Sequence, residues 1–177
     1  MRALWCGCPF TRVAPAGQGP AVEGAVEVVH ATCIAVDGRG VLIRGPSGAG
    51  KSDLALRCLA QVPNSLILQP AALVADDRVH VTNTGGRLLA RAPEVLRGRL
   101  EVRGQGVVAL ASVETVDIML IADLVPAAVP VERLPDPIIY DRLCGVRLPV
   151  VRMHAFEASA AVKLLVALVT RYGQSAE

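Results

Sequence analysis

Lysine is almost missing from this chain. Of its 18 basic residues only Lys51 and Lys163 are lysines, and the rest are arginines. An excess of charge is missing too: 16 acidic residues leave a net charge of +2, far from the balance of a nucleic-acid-binding domain. No apolar run approaches the roughly 20 residues of a membrane span, and the longest, at residues 164–169, is interrupted too soon. The patch Ala3-Leu4-Trp5 is too short for a signal-peptide core, which also excludes lipoprotein processing at Cys6. Five cysteines (Cys6, Cys8, Cys33, Cys58, Cys144) are odd in number and scattered. They form no disulfide framework, and Cys6-x-Cys8 lacks a second pair for a zinc site. What survives these exclusions is a cytoplasmic protein with reduced thiols, no membrane contact and no nucleic-acid partner. With 177 residues, 53% hydrophobic and 19% charged, and no internal repeat, the chain has the size and composition of one globular domain.

One of the two lysines stands in the most informative stretch. Gly45-Pro46-Ser47-Gly48-Ala49-Gly50-Lys51-Ser52 satisfies G-x-x-x-x-G-K-[ST], the phosphate-cradling loop. Before it, Val41-Leu42-Ile43 reads as a buried strand, and after it residues 53–60 carry leucines at helical spacing. Strand, glycine loop and helix is the order the motif requires. The glycines let successive N–H groups converge on one anion, and the helix adds its free N–H groups and positive dipole end. Lys51 then reaches the β- and γ-phosphates, and the Ser52 hydroxyl is placed to ligate Mg²⁺. A nucleoside triphosphate site is the working premise.

Residues 1–24 carry Pro9, Pro15 and Pro20 without periodicity and read as a tail, with the domain spanning 25–177. Residues 26–30 and 32–36 are β-rich, and Asp37-Gly38 marks a hairpin turn into the phosphate-loop strand, which would put His30 on the neighbouring strand. The next strand is either 66–68 or 73–75, and the second runs into Asp76-Asp77. An apolar run ending in aspartate downstream of a phosphate loop is where a metal-water or catalytic carboxylate sits, and adjacent carboxylates point to opposite sides of a strand. Residues 78–81 and 88–90 pair across a Gly-Gly turn, 116–122 form a core strand, and 126–137 are a proline-punctuated connector. Residues 155–172 read as a packing helix, with Phe156, Ala160, Leu164, Leu168 and Tyr172 one turn apart.

Several pieces together resemble the catalytic domain of the HPr kinase/phosphorylase family. They are His30 with Gly38-Arg39-Gly40-Val41-Leu42-Ile43-Arg44-Gly45, the phosphate loop, Leu73-Val74-Ala75-Asp76-Asp77-Arg78-Val79, Leu100-Glu101-Val102-Arg103-Gly104-Gln105-Gly106-Val107-Val108 and Tyr140-Asp141-Arg142-Leu143. The family's upstream regulatory domain has no counterpart, as in the short proteobacterial forms. The resemblance implies ATP-dependent phosphorylation of a serine on HPr, the phosphocarrier of the phosphotransferase system, or on its nitrogen-branch paralogue, with reversal by phosphorolysis. It implies that Lys51 binds the β/γ-phosphates, that Ser52 and Glu101 hold Mg²⁺ with Asp76 beside them, and that Asp77 is the base. It further implies that His30 lies near the transferred group, that Arg142 stabilises its charge, and that the protein is a homo-oligomer, a hexamer. Three features depart from the family pattern. Residues 63–72 are longer, Asp53 replaces a usual glutamate, and the late proline- and arginine-rich loop is reduced to residues 148–154, where Arg152 keeps part of its role.

Two other readings stay open. A different P-loop small-molecule kinase or NTPase would show an arginine-bearing lid, which cannot be placed here, and no Asn-Lys-x-Asp motif supports a GTPase. A non-catalytic nucleotide-sensing regulator would not need His30, Asp77 and Glu101. The fold expected is α/β: a P-loop-containing mixed sheet with antiparallel hairpins and a C-terminal helix. Too many β runs separate the phosphate loop from the next helix for a regular doubly wound sheet.

Overall fold

A computed structural model describes residues 24–133 and 138–170. Most of the expected tail, the end of the proline connector and Tyr172 therefore lie outside the described residues. The strands are β1 (Val26–Val29), β2 (Thr32–Val36), β3 (Arg39–Arg44), β4 (Ala72–Ala75), β5 (Val79–Thr84) and β6 (Arg87–Arg91), then β7 (Arg99–Val102), β8 (Gly106–Ala109), β9 (Thr115–Leu124), β10 (Ile139–Leu143) and β11 (Val146–Met153). Helix α1 is Lys51–Leu59 and α2 is Ala160–Val169. Nine strands form one sheet, ordered β1-β5-β6-β9-β3-β2-β4, with β11 on β9 and β10 on β11; β7 and β8 form a separate ribbon. This is the mixed α/β sheet the sequence led us to expect.

The hub is β9. Parallel β3 runs along one edge, so β6 and β11 share the other: β6 pairs antiparallel at residues 115–117, and β11 pairs parallel at 121–124. Strands β3 and β9 are therefore buried on both faces, which is why each reads as a nearly unbroken apolar run. On one face Val41, Ile43 and Leu120 pack with Leu54 of α1 and with Leu164 and Leu165 of α2. On the other, Leu42 and Ile121 pack under Val79, Val81 and Leu88 of the curled β5–β6 arm and Val150 of β11. The Asp37-Gly38 turn joins β2 to β3 as anticipated. Both residues have positive φ, 50° and 72°, as a two-residue hairpin turn matching the strand twist requires.

Three local expectations are corrected, and one open choice is settled. His30 lies not on the strand beside β3 but in the bend between β1 and β2, because β1 leaves to pair with β5. Of the two candidates after α1, residues 72–75 form the strand, whereas Leu66 and Leu68 point to solvent. Residues 148–153, read as part of a loop, are most of β11; Pro149 sits just before the stretch that bonds to β9, where its missing N–H does no harm. Finally, α2 begins at Ala160 rather than Ala155. The Arg57 guanidinium of α1 donates to the carbonyls of Ala155 and Glu157, so the Ala155 oxygen serves α1 rather than a further helical turn.

The same turn is pinned from a second side. His154 Nε2 bonds the Val129 carbonyl at 2.7 Å and Nδ1 meets the Glu157 carboxylate at 3.1 Å, with Lys163 also on Glu157. The Val129 carbonyl, then Glu157, raise the His154 pKa from 6.5, while Lys163, then His154, lower that of Glu157 from 4.5. A raised imidazole pKa stabilises the fold fully below pH 6.5 and is lost as pH climbs through the folded value. The carboxylate's contribution is present above pH 4.5 and lost as pH falls through its lowered value. His154→Gln is thus expected to lower Tm at pH 6 and to match the wild type above the raised pKa, measured as paired melting curves across pH.

Candidate functional site

The phosphate loop, residues 45–52, leaves the end of β3 and enters α1. Gly50 has φ +94°. A Cβ there would stand 2.8 Å from Phe156 Cζ and 3.0 Å from Ala155 Cβ, so this position fits only glycine. Lys51 is buried, at 8% exposure, and its Nζ donates to the carbonyls of Gly45 (3.0 Å) and Pro46 (3.1 Å). It also stands 3.4 Å from His30 Nε2. On its other side His30 meets Asp77: Nδ1 is 3.0 Å from both the backbone oxygen and Oδ1. If Nδ1 carries the ring proton it donates to Asp77 while Nε2 accepts from Lys51, so Lys51, His30 and Asp77 form one continuous chain.

The two adjacent aspartates take opposite environments, but both lie past the end of β4, so the reversed backbone at Asp77 rather than strand alternation separates them. Asp76 turns inward and is 6% exposed. It accepts from Thr32 Oγ1 at 2.6 Å, Ser52 Oγ at 2.9 Å and the Glu101 N–H at 3.1 Å. Asp77 turns outward with φ +66°, a conformation aspartate tolerates better than most residues, and its side chain is 60% exposed. Asp76→Ala would leave the fully buried Thr32 hydroxyl and the Glu101 N–H without their acceptor. The expected cost is about 1–3 kcal/mol, read as a lower denaturant midpoint at unchanged slope.

A cleft of about 220 Å³ gathers Ser47, Gly48, Gly50, Lys51, Ser52, Asp77 and Glu101, together with Arg103 and Phe156. His30 borders it through Lys51 and Asp77. The structure thus brings together His30, Lys51, Ser52, Asp76, Asp77 and Glu101. It does not bring in Arg142. That guanidinium donates to the Gly145 carbonyl in the β10–β11 turn, and among the described residues it has no hydrogen bond to a cleft group. Alternation along β10 explains this: Asp141 faces Arg44, and the next side chain faces outward with exposed Tyr140. The cleft's own cations are Lys51 and Arg103. A larger cavity, about 440 Å³ between β11, α2 and the connector, holds none of the expected site residues.

Three contributors were not anticipated. Thr32 anchors Asp76, and nothing in its local sequence sets it apart from a strand residue. Arg44 clamps Asp123 of β9 through two bonds (2.8 and 3.0 Å) and Asp141 of β10 (2.8 Å), fixing the strand end from which the loop departs. Its signal was visible, a charge closing an apolar strand just before the first loop glycine. Phe156 was placed on the packing face of a helix by its spacing. Among the described residues no thiol lines the cleft, and burial pushes Cys33 and Cys58 up to about 12.

Fold and site together define a phosphate-loop protein of the mixed-sheet kind, distinct from the doubly wound nucleotide-binding proteins. Residues 24–175 match the family model described as HPr Serine kinase C-terminal domain, and the chain belongs to that family. An HPr kinase/phosphorylase of Clostridium perfringens is 35% identical over 115 residues, covering 65% of this chain and 35% of that one. One of Malacoplasma penetrans is 32% identical over 133 residues, 70% of this chain and 42% of its own. The chain thus spans about a third of the length of such relatives. Among solved structures, the Hpr(Ser) kinase/phosphatase from Coxiella burnetii superposes with a TM-score of 0.67 at 22% identity, covering 80% of this chain and 93% of that one, which establishes the shared fold.

Proposed function

We propose that this chain is an ATP-dependent serine protein kinase whose substrate is HPr or its nitrogen-branch paralogue. The observation that carries the reading is the outward Asp77 carboxylate, held in a left-handed backbone at the mouth of the phosphate cleft and joined through His30 to Lys51. Phosphoryl transfer asks the protein for positioning and charge neutralisation, plus one carboxylate beside the nucleophile. Asp77 accepts the proton of the serine hydroxyl as its oxygen bonds to the γ-phosphorus and the bridge to ADP breaks. His30 orients Asp77. Lys51 leaves the Gly45 and Pro46 carbonyls for the phosphates, and Arg103 adds positive charge at the rim.

The residues suit Mg²⁺. Ser52 and Glu101 line the cleft, with the buried Asp76 carboxylate 2.9 Å behind Ser52, an all-oxygen donor set. No group of three or more His, Cys, Asp or Glu is preassembled among the described residues, and Mg²⁺ needs none, since it keeps waters and phosphate oxygens. Ser52 and Glu101 would hold it, with Asp76 orienting Ser52. When bound, it would neutralise charge on the β- and γ-phosphate oxygens.

Run backward, the same groups support phosphorolysis: a phosphate oxygen attacks the seryl phosphate, pyrophosphate forms, and Asp77 returns the proton to serine. We read the protein as cytoplasmic and as a homo-oligomer, hexameric by the family resemblance. The test is transfer of label from Mg·[γ-³²P]ATP to purified HPr or the nitrogen-branch paralogue. Acid-stable phosphoserine supports the reading; nucleotide binding without label on either carrier rejects it in favour of another substrate or a nucleotide sensor.

A further inference from the structure

Phe156 is 71% exposed, yet nothing about it is loose. The turn that carries it is tied to α1 by Arg57 through the Ala155 and Glu157 carbonyls, and to the connector by His154. Of the large hydrophobics exposed among the described residues, Phe156 alone lines the phosphate cleft. Its neighbours suggest the reason. The ring packs against Gly50 of the phosphate loop, and the same cleft is lined by Leu56 and Val102. Leu56 lies one helical turn beyond Ser52, about 6 Å further along α1, so this apolar wall extends past the end that receives the phosphates.

We propose that Phe156, with Leu56 and Val102, is the platform on which the base of the donor nucleotide stacks. This rests on the phosphate-loop reading and adds to it the part of the ligand that reading leaves unplaced. The polar groups nearby suit recognition by the face of the base rather than its edge. The Asp53 carboxylate is engaged by Arg57 at 2.9 Å, and Arg103 stands in the turn after β7. The platform therefore favours a planar base over none, with little choice between adenine and guanine.

The test compares Mg·ATP, Mg·GTP and Mg·tripolyphosphate, which carries the charge without a base, by calorimetric titration of the full chain. Phe156→Ala is expected to weaken ATP and GTP alike by about tenfold and to leave tripolyphosphate affinity unchanged, while Phe156→Tyr keeps wild-type affinity for all three. Equal weakening of all three ligands would overturn the proposal, making the ring a prop for the loop. Unchanged nucleotide affinity with a raised KM for the protein substrate would overturn it as well, moving Phe156 to the partner's side. If the wild type binds tripolyphosphate but gains nothing from a base, the platform fails while the phosphate loop stands. If it binds none of the three, both readings fall.

Discussion

Asp77→Asn is expected to cut phosphoryl transfer to HPr by about 10²–10⁴-fold, the range associated with losing a positioned general base, while ATP still binds. The amide keeps the size of the side chain and can still accept from His30 Nδ1 through its oxygen. The left-handed backbone at φ +66° suits asparagine as well as aspartate. Folding and nucleotide affinity should therefore match the wild type, and only the proton acceptor is gone. The measurement is single-turnover labelling with saturating Mg·ATP, alongside calorimetric ATP binding. A rate that survives the substitution would show that the serine loses its proton by another route. His30 would then have to be tested next, since it touches both Asp77 and Lys51 and its side chain is more than half exposed.

Lys51→Met should do the opposite to stability and ligand. Lys51 is 8% exposed and its three neighbours are two carbonyls and an imidazole, none of them an anion. A buried ammonium without a counter-charge is held at a cost, and phosphate is the anion that would repay it. Replacing it with an apolar side chain of similar reach is expected to leave Tm unchanged or raised. ATP affinity, by contrast, should fall by the roughly 2–5 kcal/mol typical of removing one partner of a buried charge pair. Thermal melts with and without Mg·ATP read both effects in one series, because the nucleotide's stabilising shift disappears with its binding. A Tm that drops without ligand would mean that Lys51 braces the empty loop.

How much of this was legible beforehand depends on whether the determinant is local. The phosphate loop, the Asp37-Gly38 turn and the apolar runs of β3 and β9 are written in consecutive residues, and the structure returned them where expected. Asp76 and Asp77 do differ in environment, but not through strand alternation: β4 ends at Ala75, and the left-handed backbone of Asp77 turns it outward. Phe156 was misplaced because helical spacing continues through residues 155–159, while the contact that stops the helix comes from Arg57, 98 residues away from Ala155. β11 was missed because a strand interrupted by Pro149 and two arginines reads as loop until β9 offers it an edge. Arg142 shows the limit of a matched motif: Tyr140-Asp141-Arg142-Leu143 is present, but its neighbour Asp141 is the one turned to the phosphate-loop strand, through Arg44.

The shared edge of β9 has a consequence in time rather than in space. Arg44, at the root of the phosphate loop, is held by Asp123, 79 residues later in the chain. During synthesis at about 5–20 residues per second, the loop therefore emerges on the order of ten seconds before the strand that braces it. Until β9 inserts, β3 has only β2 beside it, and the second arm, β10–β11, has nowhere to attach. A ribosome-bound chain halted before residue 115 would carry every letter of the nucleotide motif without the strand that braces its root.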